Sequence, residues 1–228
     1  MEYVEIARAT SSRGDVLLRE RRTPGAPAVL ELRVNGVFVM DTRETGSERA
    51  LATESLALVA DPRNVLVGGL GLGFTAREVL ADRRVERLVV VEIEEPLIEW
   101  MRDGTVPGGP ELLADRRLRI VPGDIRLLVE EIVTTAYDLV LLDVDNGPGY
   151  LVHDTNAEVY RPGFLQRVRG LLAPDGVLVV WSAAQAPDLE AAMRATFGSC
   201  RRQAHPVRLG ERDEDYFLYL SRGGTAAG

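Results

Sequence analysis

An α/β fold with a mostly parallel sheet, preceded by a small antiparallel β unit, is predicted for this 228-residue chain by three features. From Arg63 onward, short apolar runs alternate with helix-length segments, as strands joined by crossover helices do. Within that region Val65-Leu66-Val67-Gly68-Gly69-Leu70-Gly71-Leu72-Gly73-Phe74 reads as a strand, a tight turn and a helix start. Before it, residues 1–40 show the short alternating runs of an antiparallel sheet.

In chain order, β-type runs at 3–7, 16–20, 29–34 and 37–40 are separated by turn-forming residues, and Asn35-Gly36 between the last two is a strong hairpin signal. Residues 45–47 look like the cap of a helix over 48–59, with Ala52, Leu56 and Val59 at helical spacing. Strands follow at 64–67, 88–91, 118–121, 137–142 and 177–181, and helices at 75–81, 95–102, 126–133 and 161–172, with 173–176 as a turn into the fifth strand. A closing pair at 205–208 and 216–220, split by a charged loop, is expected as an antiparallel hairpin at the sheet edge. The domain organisation this implies is a β unit over 1–44, an α/β domain over 45–222 and a disordered tail over 223–228.

Hydrophobic content of 46% with 27% charged residues is ordinary for a soluble globular chain. No apolar run reaches the length of about 20 residues that spans a bilayer, and the N-terminus lacks signal-peptide features, so a cytoplasmic protein with no membrane partner is expected. The net charge of −8, with arginines interspersed among acids, argues against a nucleic-acid partner and suits a cationic substrate. All 27 basic residues are arginine, which excludes a Walker-type phosphate loop and Schiff-base catalysis. The single Cys200 rules out an internal disulfide and a cysteine-cluster zinc site.

The glycine loop and the acid that follows it point to a nucleotide cradle. Glycines at 69, 71 and 73 let the backbone approach a ligand, the helix start offers free N–H groups, and Glu92 at the end of the next strand can accept hydrogen bonds from both hydroxyls of a ribose. Asp124 reads either as a helix cap or as an adenine contact, and the two roles can coexist. Asp143 ends a strand at the edge where open α/β sheets bind ligands, so it is either a turn residue or a carboxylate that accepts a proton from an attacking amine. His153 reads as a loop residue near the same edge, and Trp181 as a core residue or a wall of an acceptor pocket. A terminal hairpin replaces the second mononucleotide unit that a dehydrogenase would carry.

The residues 65–80 resemble the first motif of the spermidine synthase family, polyamine aminopropyltransferases within the class I S-adenosylmethionine-dependent methyltransferase superfamily. Val91-Glu92-Ile93-Glu94-Glu95 is similar to that family's second strand and ribose-binding acid, Gly123-Asp124-Ile125 to its adenine-contacting step, and residues 137–143 to the strand that ends in its catalytic aspartate. The resemblance covers roughly residues 1–185 and implies a Rossmann-like methyltransferase fold. It also implies a donor site of Gly69, Gly71, Gly73, Glu92, Ile93, Asp124, Ile125 and Asp143, with Asp143 and Asp145 catalytic. The donor would be S-adenosylmethionine or its decarboxylated form, the acceptor a small amine, no metal would be needed, and a homodimer is expected.

Three departures from the family pattern bear on the substrate. Leu72 stands where the family has an acid that holds the amine end of the decarboxylated donor, which predicts relaxed discrimination and good binding of intact S-adenosylmethionine. Residues 144–148 replace the expected segment after the aspartate, and Val39 and Glu48 fall where the family has a Gln and a Tyr. These changes predict a spermidine-synthase-like transferase with a kept donor site and an altered acceptor site. A methyltransferase using intact S-adenosylmethionine, or a non-catalytic adenosyl-binding protein, are the alternatives.

Overall fold

The computed structural model describes residues 1–11, 13–131, 136–209 and 212–224. β1 (Glu2–Ser11), β2 (Gly14–Arg22), β3 (Val29–Val34) and β4 (Val37–Asp41) form an antiparallel sheet in that order. The period-two pattern has its physical basis here, because Val16, Leu18, Leu32 and Val34 turn one face inward. Asn35 and Gly36 take φ of 51° and 76°, the positive values a two-residue hairpin requires. Asn35 also ties the hairpin tips together, donating its N–H to Asp15 O at 2.8 Å and accepting Asp15 N–H on Oδ1 at 2.9 Å.

The second sheet has seven strands: β5 (Asn64–Gly68), β6 (Arg87–Glu92), β7 (Leu118–Pro122), β8 (Tyr137–Leu142), β9 (Leu172–Ser182), β10 (Arg201–Leu209) and β11 (Arg212–Arg222). Their spatial order is β10-β11-β9-β8-β5-β6-β7. β5 to β9 pair in parallel, while β11 pairs antiparallel with both β9 and β10. The order reverses beside β5 and β8, which places the ligand crevice at the carboxyl ends of those strands.

Both sheet faces are covered, so the central strands are continuously apolar. Val65, Val67, Val90 and Leu141 pack toward α1 (Gly46–Leu56), α2 (Phe74–Ala81), α3 (Glu95–Arg102), α4 (Gly109–Leu113) and the N-terminal sheet. Leu66, Val89, Val140 and Val180 pack toward α5 (Ile125–Glu131), α6 (Pro162–Leu171) and α7 (Pro187–Phe197).

The structure corrects the sequence reading in several places. Residues 173–176 are not a separate turn but the start of β9, where a register shift against β8 and a φ of 64° at Asp175 absorb the Pro-Asp-Gly kink. Thr45 makes no side-chain cap for α1; Glu44 Oε1 accepts Gly46 N–H at 2.7 Å instead. α4, a 3-10 helix over Asp154–Tyr160 and α7 are additions to the expected elements. The terminal hairpin is longer than expected, with β10 at the edge and β11 inserted against β9. The end of the expected helix at 132–133, residues 210 and 211 of the charged loop, and tail residues 225–228 lie outside the described residues. No helix among the described residues is long and apolar enough to cross a membrane.

Candidate active site

The carboxyl ends of β5, β6, β7 and β8, roofed by β3 and β4, enclose one cleft. Its floor is the glycine loop. Gly69 has φ of 99° and donates its N–H to Val91 O at 2.9 Å, and a Cβ there would lie 2.1 Å from Asp143 O. A side chain at 69 would therefore push β5 and β8 apart at the crevice. Gly69 and Gly71 line the cleft, but Gly73 does not: it precedes α2 and packs beside Leu112 and Met101.

Leu72 is also displaced from its expected role. It is 3% exposed and belongs to the apolar core, and its N–H approaches Met40 Sδ at 3.1 Å. An aliphatic side chain gains by leaving the polar cleft for that core. Position 72 thus contributes neither an acid nor any other group to the cleft wall.

Glu92 is 6% exposed, with Oε2 accepting Leu70 N–H at 2.8 Å and Oε1 accepting Glu94 N–H at 2.7 Å. Burial raises its pKa, and the backbone donors oppose that rise. Each oxygen retains a lone pair for a ligand hydroxyl. Ile93 and Ile125 line the cleft on either side of the same end. Asp124 also lines it and accepts both Arg126 N–H, at 2.9 Å, and the Arg126 guanidinium, at 2.6 Å. Burial alone would raise the Asp124 pKa, yet Arg126 holds it below the ordinary value. Asp124 therefore does serve the start of α5 while facing the cleft.

At the other end, Asp143 Oδ2 accepts the Thr75 hydroxyl at 3.2 Å. Burial, then the nearby Glu48 carboxylate, push its pKa up to about 7, against the Thr75 hydrogen bond. Glu48, near the start of α1, is 8% exposed and accepts the Ser47 hydroxyl at 2.7 Å on Oε2; its pKa is raised chiefly by burial. Asp145 lies on the loop after β8 at φ of 54°, where Asn156 Nδ2 donates to Oδ2 at 2.8 Å, and burial raises its pKa too. His153 lines the cleft with Nε2 3.2 Å from Asn35 Nδ2. Trp181 forms part of the wall and meets Tyr216 edge to face at 4.9 Å.

The structure thus brings together every expected site residue except Gly73. It adds Arg13, which the sequence does not single out, and it turns into the cleft the carboxyl of Glu48, which the sequence marks only as standing where the family has a Tyr. A second cavity adjoins the first through Glu48, Asn146 and Trp181 and carries Asp41, Glu44 and Glu214 on its walls.

Residues 44–204 match the spermine/spermidine synthase domain, and the chain belongs to that family. It is 32% identical over 132 residues to a polyamine aminopropyltransferase of Pyrobaculum neutrophilum, covering 57% of this chain and 44% of the relative. It is 29% identical over 192 residues to a polyamine aminopropyltransferase of Aeropyrum pernix, covering 78% of this chain and 59% of the relative. The chain thus spans about half the length of these curated relatives. A crystal structure of spermidine synthase in complex with the transition-state analogue AdoDATO superposes with a TM-score of 0.78 at 20% identity, covering 97% of this chain and 74% of that one. Spermidine synthase from Thermotoga maritima gives 0.76 at 20% identity, covering 97% and 73%. These two likenesses confirm the expected methyltransferase-like fold.

Proposed function

We propose that this chain transfers an aminopropyl group from decarboxylated S-adenosylmethionine to a polyamine-type amine. The observation that carries the reading is the convergence in one cleft of the glycine loop and Glu92 with a buried carboxyl pair, Asp143 and Glu48. The names of the curated relatives support the same reaction.

The donor brings its own leaving group, a sulfonium that departs as a neutral thioether. The acceptor nitrogen supplies the electron pair for the new C–N bond, the C–S bond breaks with its pair on sulfur, and the proton lost by nitrogen passes to Asp143. Asp143 suits this task because its pKa of about 7 lets it take and release a proton near neutrality. Most of the rate then comes from aligning the two reactants and excluding water. Gly69 and Gly71 let the loop approach the donor, and Glu92 takes the ribose hydroxyls. Ile93 and Ile125 flank the base, and Asp124 faces its edge. Asp145 shares the acceptor's charge with Asp143.

Charge favours the decarboxylated donor. Carboxyl groups of Glu48, Glu92, Glu94, Asp124, Asp143 and Asp145 line the cleft against the guanidinium of Arg13, the one arginine that lines it among the described residues. A dication is attracted into such a field, whereas a carboxylate near Asp143 and Glu48 is repelled. The adjoining acidic cavity extends the same preference to an acceptor with more than one amine. Methyl transfer from intact S-adenosylmethionine is the competing reading, favoured by the absence of an acid at position 72. A cytoplasmic homodimer is part of our reading, and sedimentation of the purified chain tests the dimer.

The test is incubation with decarboxylated S-adenosylmethionine and 1,4-diaminobutane, followed by mass spectrometry. Formation of 5′-methylthioadenosine and an aminopropylated diamine is expected. A methylated amine formed from intact S-adenosylmethionine, with no methylthioadenosine from the decarboxylated donor, would overturn the reading.

A further inference from the structure

The hairpin between β1 and β2 places one arginine inside the cleft. Ser11 pairs with Gly14, so Arg13 sits at the hairpin tip, with its N–H on Ser11 Oγ at 3.1 Å and its carbonyl accepting Asn35 Nδ2 at 3.1 Å. The same Asn35 Nδ2 lies 3.2 Å from His153 Nε2 on the loop after β8. Two hairpin tips of the N-terminal sheet are thereby fixed against the mouth of the cleft, and the Arg13 guanidinium projects inward from a held backbone.

Among the described residues the guanidinium has one anchor. Arg13 Nε donates to Glu94 Oε1 at 3.5 Å, while Nη2 is buried and has no hydrogen-bond partner among the described residues. That is anomalous for a charged donor amid acids, because a buried unpaired N–H is costly. The nearby acids are already engaged: Asp124 by Arg126, Asp145 by Asn156, and Glu92 by two backbone N–H groups. Glu94 and Asp124 follow the neighbouring strands β6 and β7 and lie at the base end of the cleft, beyond the ribose acid Glu92, while Asp145 follows β8 on the far side of β5.

The geometry points to Arg13 as a specificity residue that closes the N-terminal sheet over the bound nucleoside by donating from Nη2 to a ring nitrogen of adenine. Arginine is a donor only, so its partner must offer a lone pair. With the ribose hydroxyls claimed by Glu92, the ring nitrogens are the acceptors left at that end. The fork matters as well as the charge, because Nε holds Glu94 while Nη2 reaches the ligand; a lysine would have to serve both partners from one nitrogen, without the fixed spacing of the fork. This inference rests on the adenosyl reading of the cleft.

Calorimetric titration of 5′-methylthioadenosine and its 1-, 3- and 7-deaza analogues tests both separately. Arg13→Ala and Arg13→Lys are each expected to weaken methylthioadenosine binding roughly tenfold to a hundredfold, the range for a hydrogen bond to a charged group. The wild type should lose a comparable factor with one deaza analogue, and both variants should show no further loss with it, since the lost nitrogen and the lost donor belong to one bond. Variants that bind methylthioadenosine within about twofold of wild type, or that keep the full deaza penalty, overturn the inference and leave the adenosyl reading intact. A wild type that binds none of the four nucleosides overturns the adenosyl reading, and the inference with it.

Discussion

The two ends of the cleft hold their carboxylates in opposite ways. At the donor end, Glu92 is gripped by the N–H groups of Leu70 and Glu94, and Asp124 by Arg126. At the acceptor end, Asp143 and Glu48 receive side-chain hydrogen bonds from the neutral hydroxyls of Thr75 and Ser47, and the Glu48 carboxylate raises the cost of ionising Asp143 beyond that of burial. The first arrangement fixes shape, which suits recognition of a rigid nucleoside. The second leaves negative charge uncompensated, which suits capture of a cation and transfer of a proton.

The largest expected effect breaks the donor end. Glu92→Ala should weaken 5′-methylthioadenosine binding by about 2 to 4 kcal/mol, because buried charge-assisted hydrogen bonds lose a partner. It also frees the Leu70 and Glu94 N–H groups, so its melting temperature should fall, whereas Glu92→Gln, which keeps an acceptor oxygen, should lose affinity with a smaller drop. Unchanged calorimetric affinity in both variants would dissolve the distinction between the two ends.

Asp143→Asn comes next and should divide binding from chemistry. Turnover should fall at least about a hundredfold, as expected for loss of a positioned base, while donor affinity stays within about tenfold. The same variant tests the electrostatics through stability. The folded-state pKa of Asp143, about 7, exceeds the unfolded value of about 4, so this carboxyl favours the folded state at low pH and that contribution is lost as pH rises through 7. The amide that replaces the carboxyl in the variant does not titrate. The melting temperature of the variant relative to wild type should therefore be higher at pH 8 than at pH 4; a pH-independent difference would show that the acceptor end carries no such charge.

The smallest effect sharpens the pairing of Glu48 with Asp143. Glu48→Gln removes a carboxylate that raises the Asp143 pKa, so the acid limb of the kcat/KM profile, expected near pH 7 in the wild type, should move to lower pH. Coincident profiles for the two proteins would mean that Glu48 does not act on Asp143.

The same contrast governs what the sequence discloses. Gly69 and Glu92 are legible because a strand, a turn with positive φ and a strand-end acid leave a local signature at fixed spacing. Glu48 and Arg13 leave none, since only the packing of α1 and the N-terminal hairpins against the large sheet turns them into the cleft. Leu72 shows the converse: its sequence position points to the donor, yet an aliphatic side chain settles in the core. The unexpected α7 has readable ends, Pro187 at its first position and Gly198 at φ of 86° after its last, but its short amphipathic run lies between segments that read as strands. The kink at 173–176 misleads because Pro-Asp-Gly favours a turn locally, and only pairing with β8 draws it into β9.

The central claim is that the acceptor end is an uncompensated acidic pair beside an intact donor cradle, and donor preference at pH 8 tests it most directly. A carboxylate about 4 Å from another at an effective dielectric of about 20 costs on the order of 4 kcal/mol before relaxation. Dissociation constants of the wild-type protein for decarboxylated and intact S-adenosylmethionine should therefore differ by more than about tenfold, or roughly 1.4 kcal/mol, in favour of the decarboxylated form. Equal affinities, or tighter binding of intact S-adenosylmethionine, would contradict the account.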